Sequence, residues 1–137
     1  MLLREIMKRE LVTVEPAASI KEAAERMKSG DVGCTLITEN GVLRGILTDR
    51  DITCNVVAEG KDPDAIKVKE IMNKDIIFTS PETDTLEASR MMAQKKIRRL
   101  PVQSNGRLEG LVTMSELAPI LREEMDNFFN LEEAYRH

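Results

Sequence analysis

The chain has 137 residues, 42% hydrophobic and 32% charged, enough for one domain-sized core beneath a charged surface. Its net charge of −4 excludes a nucleic-acid binder that works through bulk positive charge. No run of about 18 apolar residues is present to span a membrane, and charges interrupt the opening MLLREIMKRE where a signal peptide needs an apolar centre. The expected location is therefore the cytoplasm.

In chain order, residues 11–14 read as an extended piece stopped by Pro16. Ser19 then caps a helix with Glu22 as its capping-box partner, and Ile20, Ala23, Ala24 and Met27 give that helix one apolar stripe. Ser29-Gly30 ends it. Residues 35–38 form a β-rich run, Asn40-Gly41 gives a type I′ hairpin signal, and residues 42–47 return. A second helix starts near Thr48. Residues 59–64, with Gly60, Pro63 and three acids, are a solvated connector. The series then recurs. Residues 76–79 are extended, Asp84 with Glu87 caps a helix carrying Ala88 and Met92, and residues 100–102 and 107–112 flank Asn105-Gly106. Another helix starts near Thr113.

The recurrence is a duplication. Ile6-Met7 aligns with Ile71-Met72, and without a gap Glu5 meets Glu70, Pro16 meets Pro81, Glu22-Ala23 meets Glu87-Ala88 and Met27 meets Met92. Further on, Asn40-Gly41 meets Asn105-Gly106, Leu43 meets Leu108, Gly45 meets Gly110 and Thr48 meets Thr113. The reading is an α/β (α+β) fold of two β-α-β-β-α repeats, residues 1–58 and 67–118. A linker at 59–66 joins them and a helical tail at 119–137 follows. Each copy is too small to bury a good core alone, so the two are expected to pack sheet against sheet.

This order of elements resembles the CBS domain family, named after cystathionine β-synthase. The carrying features are Ile6-Met7 and Ile71-Met72, the strands ending at Pro16 and Pro81, and the small-residue helices ending in Met. To these add Arg-Leu-Pro-Val at 99–102 and the Gly-x-x-Thr steps Gly45 to Thr48 and Gly110 to Thr113. The resemblance covers roughly residues 3–120. It implies a pseudo-twofold pair of repeats, a Bateman module, that binds AMP, ADP, ATP or S-adenosylmethionine in clefts between the repeats and often forms a homodimer.

On that resemblance, Asp51 takes the two ribose hydroxyls and Thr48 reaches ribose or phosphate. A carboxylate suits a cis-diol because an ionised acceptor makes the stronger hydrogen bond, and a helix N-terminus favours an anion. Thr48 with Asp51 is equally a short capping box, and the two roles are compatible. Repeat 2 has Thr113 and Glu116, whose longer side chain is expected to weaken or empty that site. Thr13 and Val14 with Gly33 and Thr35 would line one adenine, and Thr79-Ser80 with residues 97–100 the other. Arg98 or Arg99 would serve phosphates, with Arg50 a further candidate. Lys95 and Lys96 read as solvated surface cations.

No catalytic residue is expected. With no His before His137, Ser–His and Cys–His pairs lack a base. Cys34, Cys54 and His137 are too few for a zinc site, and GxGxxG and GxxxxGK[ST] are absent. No cofactor is required. In the tail, Pro119 suits a helix's first turn, and Ile120, Leu121, Met125 and Phe128 form a stripe, with Phe129 and Tyr135 nearby. The stripe packs on its own module, on a second copy or on another partner. The reading is an adenine-nucleotide sensor acting on an unidentified protein, with no membrane or nucleic-acid partner. The alternatives are a scaffold that has lost its ligand and an S-adenosylmethionine binder.

Overall fold

The computed structural model describes residues Met1 to Ala134; Tyr135 and His137, noted above, lie outside the described residues. The chain divides into two compact units that cut across the sequence repeats. One holds Glu10–Ile77 with Gln103–Leu108; the other holds Met1–Arg9, Phe78–Val102 and the chain from Glu109 on.

The first of these is built on a three-stranded sheet. Strand β1 (Thr13–Val14) runs parallel to β2 (Cys34–Glu39), which pairs antiparallel with β3 (Val42–Thr48). Asn40 and Gly41 both have positive φ, 54° and 80°, the backbone a type I′ turn requires. Between β1 and β2 lies α1 (Ile20–Gly30), where the Ser19 hydroxyl accepts the Glu22 N–H at 3.0 Å. The expected return bond of a capping box does not form, and the Glu22 carboxylate sits 3.7 Å from Arg26 instead. Nor does Gly30 supply the left-handed cap, which is Asp31 at φ 51°. Gly30 has a steric reason: a Cβ there would meet Val12 Cγ2 at 2.7 Å. Val14, Ile20, Ala23, Met27, Ile37, Leu47, Val56 and Val68 form this unit's buried core. After β3 come α2 (Asp49–Ile52) and a π-helical turn over Thr53–Val57.

In the other unit, Asp84 caps α3 (Thr85–Lys95) by accepting the Leu86 N–H at 2.9 Å. The sequence paired it with Glu87, which lies 3.5 Å from Arg90 instead. Strands β4 (Arg99–Ser104) and β5 (Arg107–Thr113) follow as a two-stranded sheet. The counterpart of β1 shrinks to one parallel bridge, Thr79 to Val102. Buried residues here include Leu3, Met7, Ala88, Met92, Leu100, Val102, Val112 and Leu117.

Each repeat's opening segment belongs with the other repeat. In the first unit the Val68 and Lys69 N–H groups donate to the Ala18 and Pro16 carbonyls, and Asn73 bridges Ile46. In the second, Leu3 and Arg4 donate to the Thr83 and Pro81 carbonyls, and Lys8 bridges Leu111. These contacts obey the same sequence offset. They explain three of the repeated residue types. Glu5 and Glu70 accept the Leu2 and Lys67 N–H groups at 2.7 and 2.8 Å. A Cβ on Gly45 would meet Met72 Sδ at 2.5 Å and the Asn73 carbonyl at 3.1 Å. A Cβ on Gly110 would meet Met7 Sδ at 2.6 Å and the Lys8 carbonyl at 3.1 Å.

The last helix, α4, runs without a break from Met114 to Ala134. A helix restarting at Pro119 was the expectation; Pro119 instead lies inside this helix, where its missing N–H leaves the Ser115 carbonyl without its helical donor. Of the tail stripe, Ile120 is half-buried within its own unit. Residues 121–134 are exposed throughout.

Candidate functional site

Strand β3 delivers Thr48 to the N-terminus of α2. Its hydroxyl accepts the Asp51 N–H at 3.1 Å, and Asp51 Oδ2 accepts the Thr48 N–H at 2.9 Å. The capping box is therefore complete in both directions. It uses one oxygen of the carboxylate and one lone pair of the hydroxyl. Asp51 Oδ1 and the hydroxyl proton of Thr48 have no partner among the described residues, and both side chains are half-buried. The pair thus holds an acceptor and a donor in fixed positions at a helix start.

The surrounding residues come from the opening of β2. Cys34 lies opposite Thr48 and Thr35 opposite Leu47. The Asp49 N–H donates to the Gly33 carbonyl at 2.9 Å, which ties the loop before β2 to the first turn of α2. Thr35 is fully buried and its Oγ1 finds no hydrogen-bond partner. A buried, unmatched hydroxyl costs about 1–3 kcal/mol. Thr13 and Val14 sit one step along the sheet, paired with Leu36 and Ile37. They border a cavity of about 690 Å³ with Glu22, Arg26 and Asn40, to which neither Thr48 nor Asp51 contributes. Arg50 is exposed, and its backbone N–H bonds the Asp49 carboxylate at 2.9 Å.

Arg98, Arg99, Thr113 and Glu116 belong to the other unit. There the corresponding pair closes on itself. The Thr113 hydroxyl lies 3.3 and 3.1 Å from the two oxygens of Glu116, and the Thr113 N–H donates to Glu116 Oε1 at 3.2 Å. The extra methylene lets the carboxylate reach back over the hydroxyl. Thr113 Oγ1 also accepts the Ser115 N–H at 3.2 Å. Arg99 is half-buried at the start of β4, where repeat 1 has Cys34, and Arg98 is exposed beside it.

Sequence reasoning found the Thr and acid of each repeat but missed the Gly33–Asp49 link and the unmatched Thr35 hydroxyl. The second had a visible signal, since Thr35 stands where repeat 2 has Leu100. Among the described residues no three His, Cys, Asp or Glu side chains gather to hold a metal ion, and no helix is long and apolar enough to cross a membrane.

Comparison with known proteins gives a consistent result. The family model described as CBS domain matches twice, over residues 3–57 and 68–123. The CBS domain-containing protein YhcV of Bacillus subtilis is 39% identical over 116 residues, covering 85% of this chain and 82% of that protein. A CBS-domain containing protein from Agrobacterium tumefaciens has a similar solved structure. Its TM-score is 0.77 at 27% identity, over 88% of this chain and 98% of that one. A hexameric CBS-CP12 protein from bloom-forming cyanobacteria aligns with TM-score 0.74 at 31% identity, over 86% of this chain and 69% of that one.

Proposed function

The chain belongs to the CBS domain family, and from that premise we propose that it is a regulatory module that binds an adenine nucleotide through repeat 1 and signals to another protein. The observation that carries the reading is the Thr48/Asp51 pair. Its capping bonds fix both side chains and still leave a hydroxyl donor and a carboxylate oxygen for a ribose diol. Repeat 2 contributes little binding, because Glu116 already occupies the Thr113 hydroxyl.

Within this proposal the protein performs no chemistry of its own and works in the cytoplasm as a homodimer; the hexameric relative supports self-association. Ligand binding acts on the partner only through states that bind the nucleotide unequally. The Glu116 closure also favours a second reading, a scaffold in which ligand binding is being lost.

Thermal unfolding with AMP, ADP, ATP, S-adenosylmethionine and GTP separates the two. A ligand at about 100 times its Kd adds about 2.7 kcal/mol. The sensor reading expects an upward shift with adenine ligands that Asp51→Ala removes. No shift with any of them, in protein freed of nucleotide, leaves the scaffold.

A further inference from the structure

Repeat 2 holds an ion pair that repeat 1 lacks. Where repeat 2 has Arg4 and Glu82, repeat 1 has Lys69 and Ala17. The backbone around the two places is the same. The Arg4 N–H donates to the Pro81 carbonyl and the Lys69 N–H to the Pro16 carbonyl, at 3.0 and 3.2 Å. The turns that carry Glu82 and Ala17 close alike, Thr83 onto Ser80 and Ala18 onto Glu15. In repeat 2 the Arg4 guanidinium pairs with the Glu82 carboxylate. In repeat 1 the acid is missing, so the Lys69 ammonium stands where a carboxylate is expected and none is supplied.

A groove of about 690 Å³ opens at this place, within the first unit. Ala17, Lys69, Glu15, Pro16, Met72 and Lys74 line it. Its other charged residues are engaged: Arg44 lies 3.4 Å from Glu39, and Glu70 accepts the Lys67 N–H at 2.8 Å. Lys69, Lys74 and Glu15 are exposed, and their side chains form no ion pair among the described residues. Pro16 and Met72 are half-buried and give the groove apolar surface. Met72 is held by its packing on Gly45 and by the Asn73–Ile46 bridge beside it. Two cations, one carboxylate and apolar surface suit a small molecule that carries an acid, an amine and an apolar body. A simple anion would face Glu15, and a simple amine would leave both lysines unmatched.

We propose that this groove binds a free α-amino acid with an apolar side chain. Its carboxylate stands beside Lys69, where repeat 2 has the carboxylate of Glu82, with Lys74 as the second cation. Its ammonium group faces Glu15, and its side chain lies on Pro16 and Met72. The groove lies toward the start of β3, whereas Thr48 ends that strand, so the inference does not rest on the nucleotide reading. Exposed charges contribute little singly, so binding is weak and draws on all three contacts.

The test is an amide-resolved NMR titration of the full chain with L-leucine, 4-methylpentanoate and 3-methylbutylamine. The last two are leucine without its amino group and without its carboxylate. Leucine is expected to shift the Lys69 and Met72 amides and to bind at least about fivefold more tightly than either truncated compound. Lys69→Gln and Glu15→Gln should each weaken leucine about fivefold. Ala17→Glu restores the repeat 2 arrangement and should abolish binding by pairing with Lys69. All three positions are exposed, so the melting temperature and its shift with nucleotide stay unchanged in these variants. The proposal is overturned if leucine at about 10 mM, which saturates a millimolar site, moves neither amide. It also fails if either truncated compound binds as tightly as leucine, or if Lys69→Gln or Ala17→Glu binds leucine unchanged. A thermal series without any nucleotide shift, in protein that still binds leucine, would sink the nucleotide reading alone.

Discussion

The two Gly-x-x-Thr steps end in the same place in each repeat and do opposite things with one hydroxyl. At Thr48 the carboxylate of Asp51 bonds the backbone N–H through Oδ2 and makes no bond to the hydroxyl, which leaves Oδ1 without a partner among the described residues. At Thr113 one further methylene brings both oxygens of Glu116 within 3.3 Å of the hydroxyl. A single CH₂ thus separates a helix cap that still offers groups to a ligand from one that satisfies itself. Duplication supplied the frame, and divergence at this position made the two caps unequal.

The sharpest way to break this comparison is to remove each acid in turn. Asp51→Ala is expected to lower nucleotide affinity by about ten- to a hundredfold, the worth of a hydrogen bond to a charged group, as read by calorimetry. Glu116→Ala should leave affinity unchanged. Because Asp51 also caps α2, Asp51→Ala costs about 1 kcal/mol of stability as well; Asp51→Asn keeps an acceptor for the cap and still loses the charge.

Shortening the longer acid tests the same point from the other side. Glu116→Asp should release the Thr113 hydroxyl and create a second, weaker site, seen as a second step in the titration. Unchanged stoichiometry would mean that other residues close that cleft.

The shared frame should respond equally in both repeats. Gly45→Ala and Gly110→Ala each place a Cβ about 3.1 Å from a backbone carbonyl and closer still to a Met sulfur. Each should lower stability by about 1–3 kcal/mol in denaturant unfolding. Unequal costs would show that the two exchanged segments are not equivalent.

Two smaller contrasts follow. Thr35→Val swaps an unmatched buried hydroxyl for a methyl, and is expected to be neutral or stabilising by up to about 1 kcal/mol. Ser19 and Asp84 cap equivalent helices, but only Asp84 titrates. The Leu86 N–H, and then the Met1 ammonium, hold its carboxyl below the ordinary range. Its contribution is therefore present at neutral pH and lost as pH falls through that lowered value. Asp84→Asn should flatten the acid limb of the stability curve, whereas Ser19→Ala should lower the curve evenly.

Much of this frame was legible in the sequence because it is local. Asn-Gly demands positive φ, Ser19 and Asp84 cap the helices that follow them, and Thr48 with Asp51 forms a box within four residues. What could not be read is long-range. Nothing near Ile6-Met7 says that Met7 rests on Gly110, nor near Ile71-Met72 that Met72 rests on Gly45. The uninterrupted α4 was missed because Pro119 was read as a start. One lost hydrogen bond did not outweigh the burial of Leu117 and the helical stretch on either side.

The most direct test is a calorimetric titration of nucleotide-free protein with the adenine ligand that gives the largest thermal shift. The account predicts one site per chain, weakened about ten- to a hundredfold in Asp51→Ala and intact in Glu116→Ala. Two equal sites per chain, or one that survives Asp51→Ala and disappears with Glu116→Ala, would contradict it.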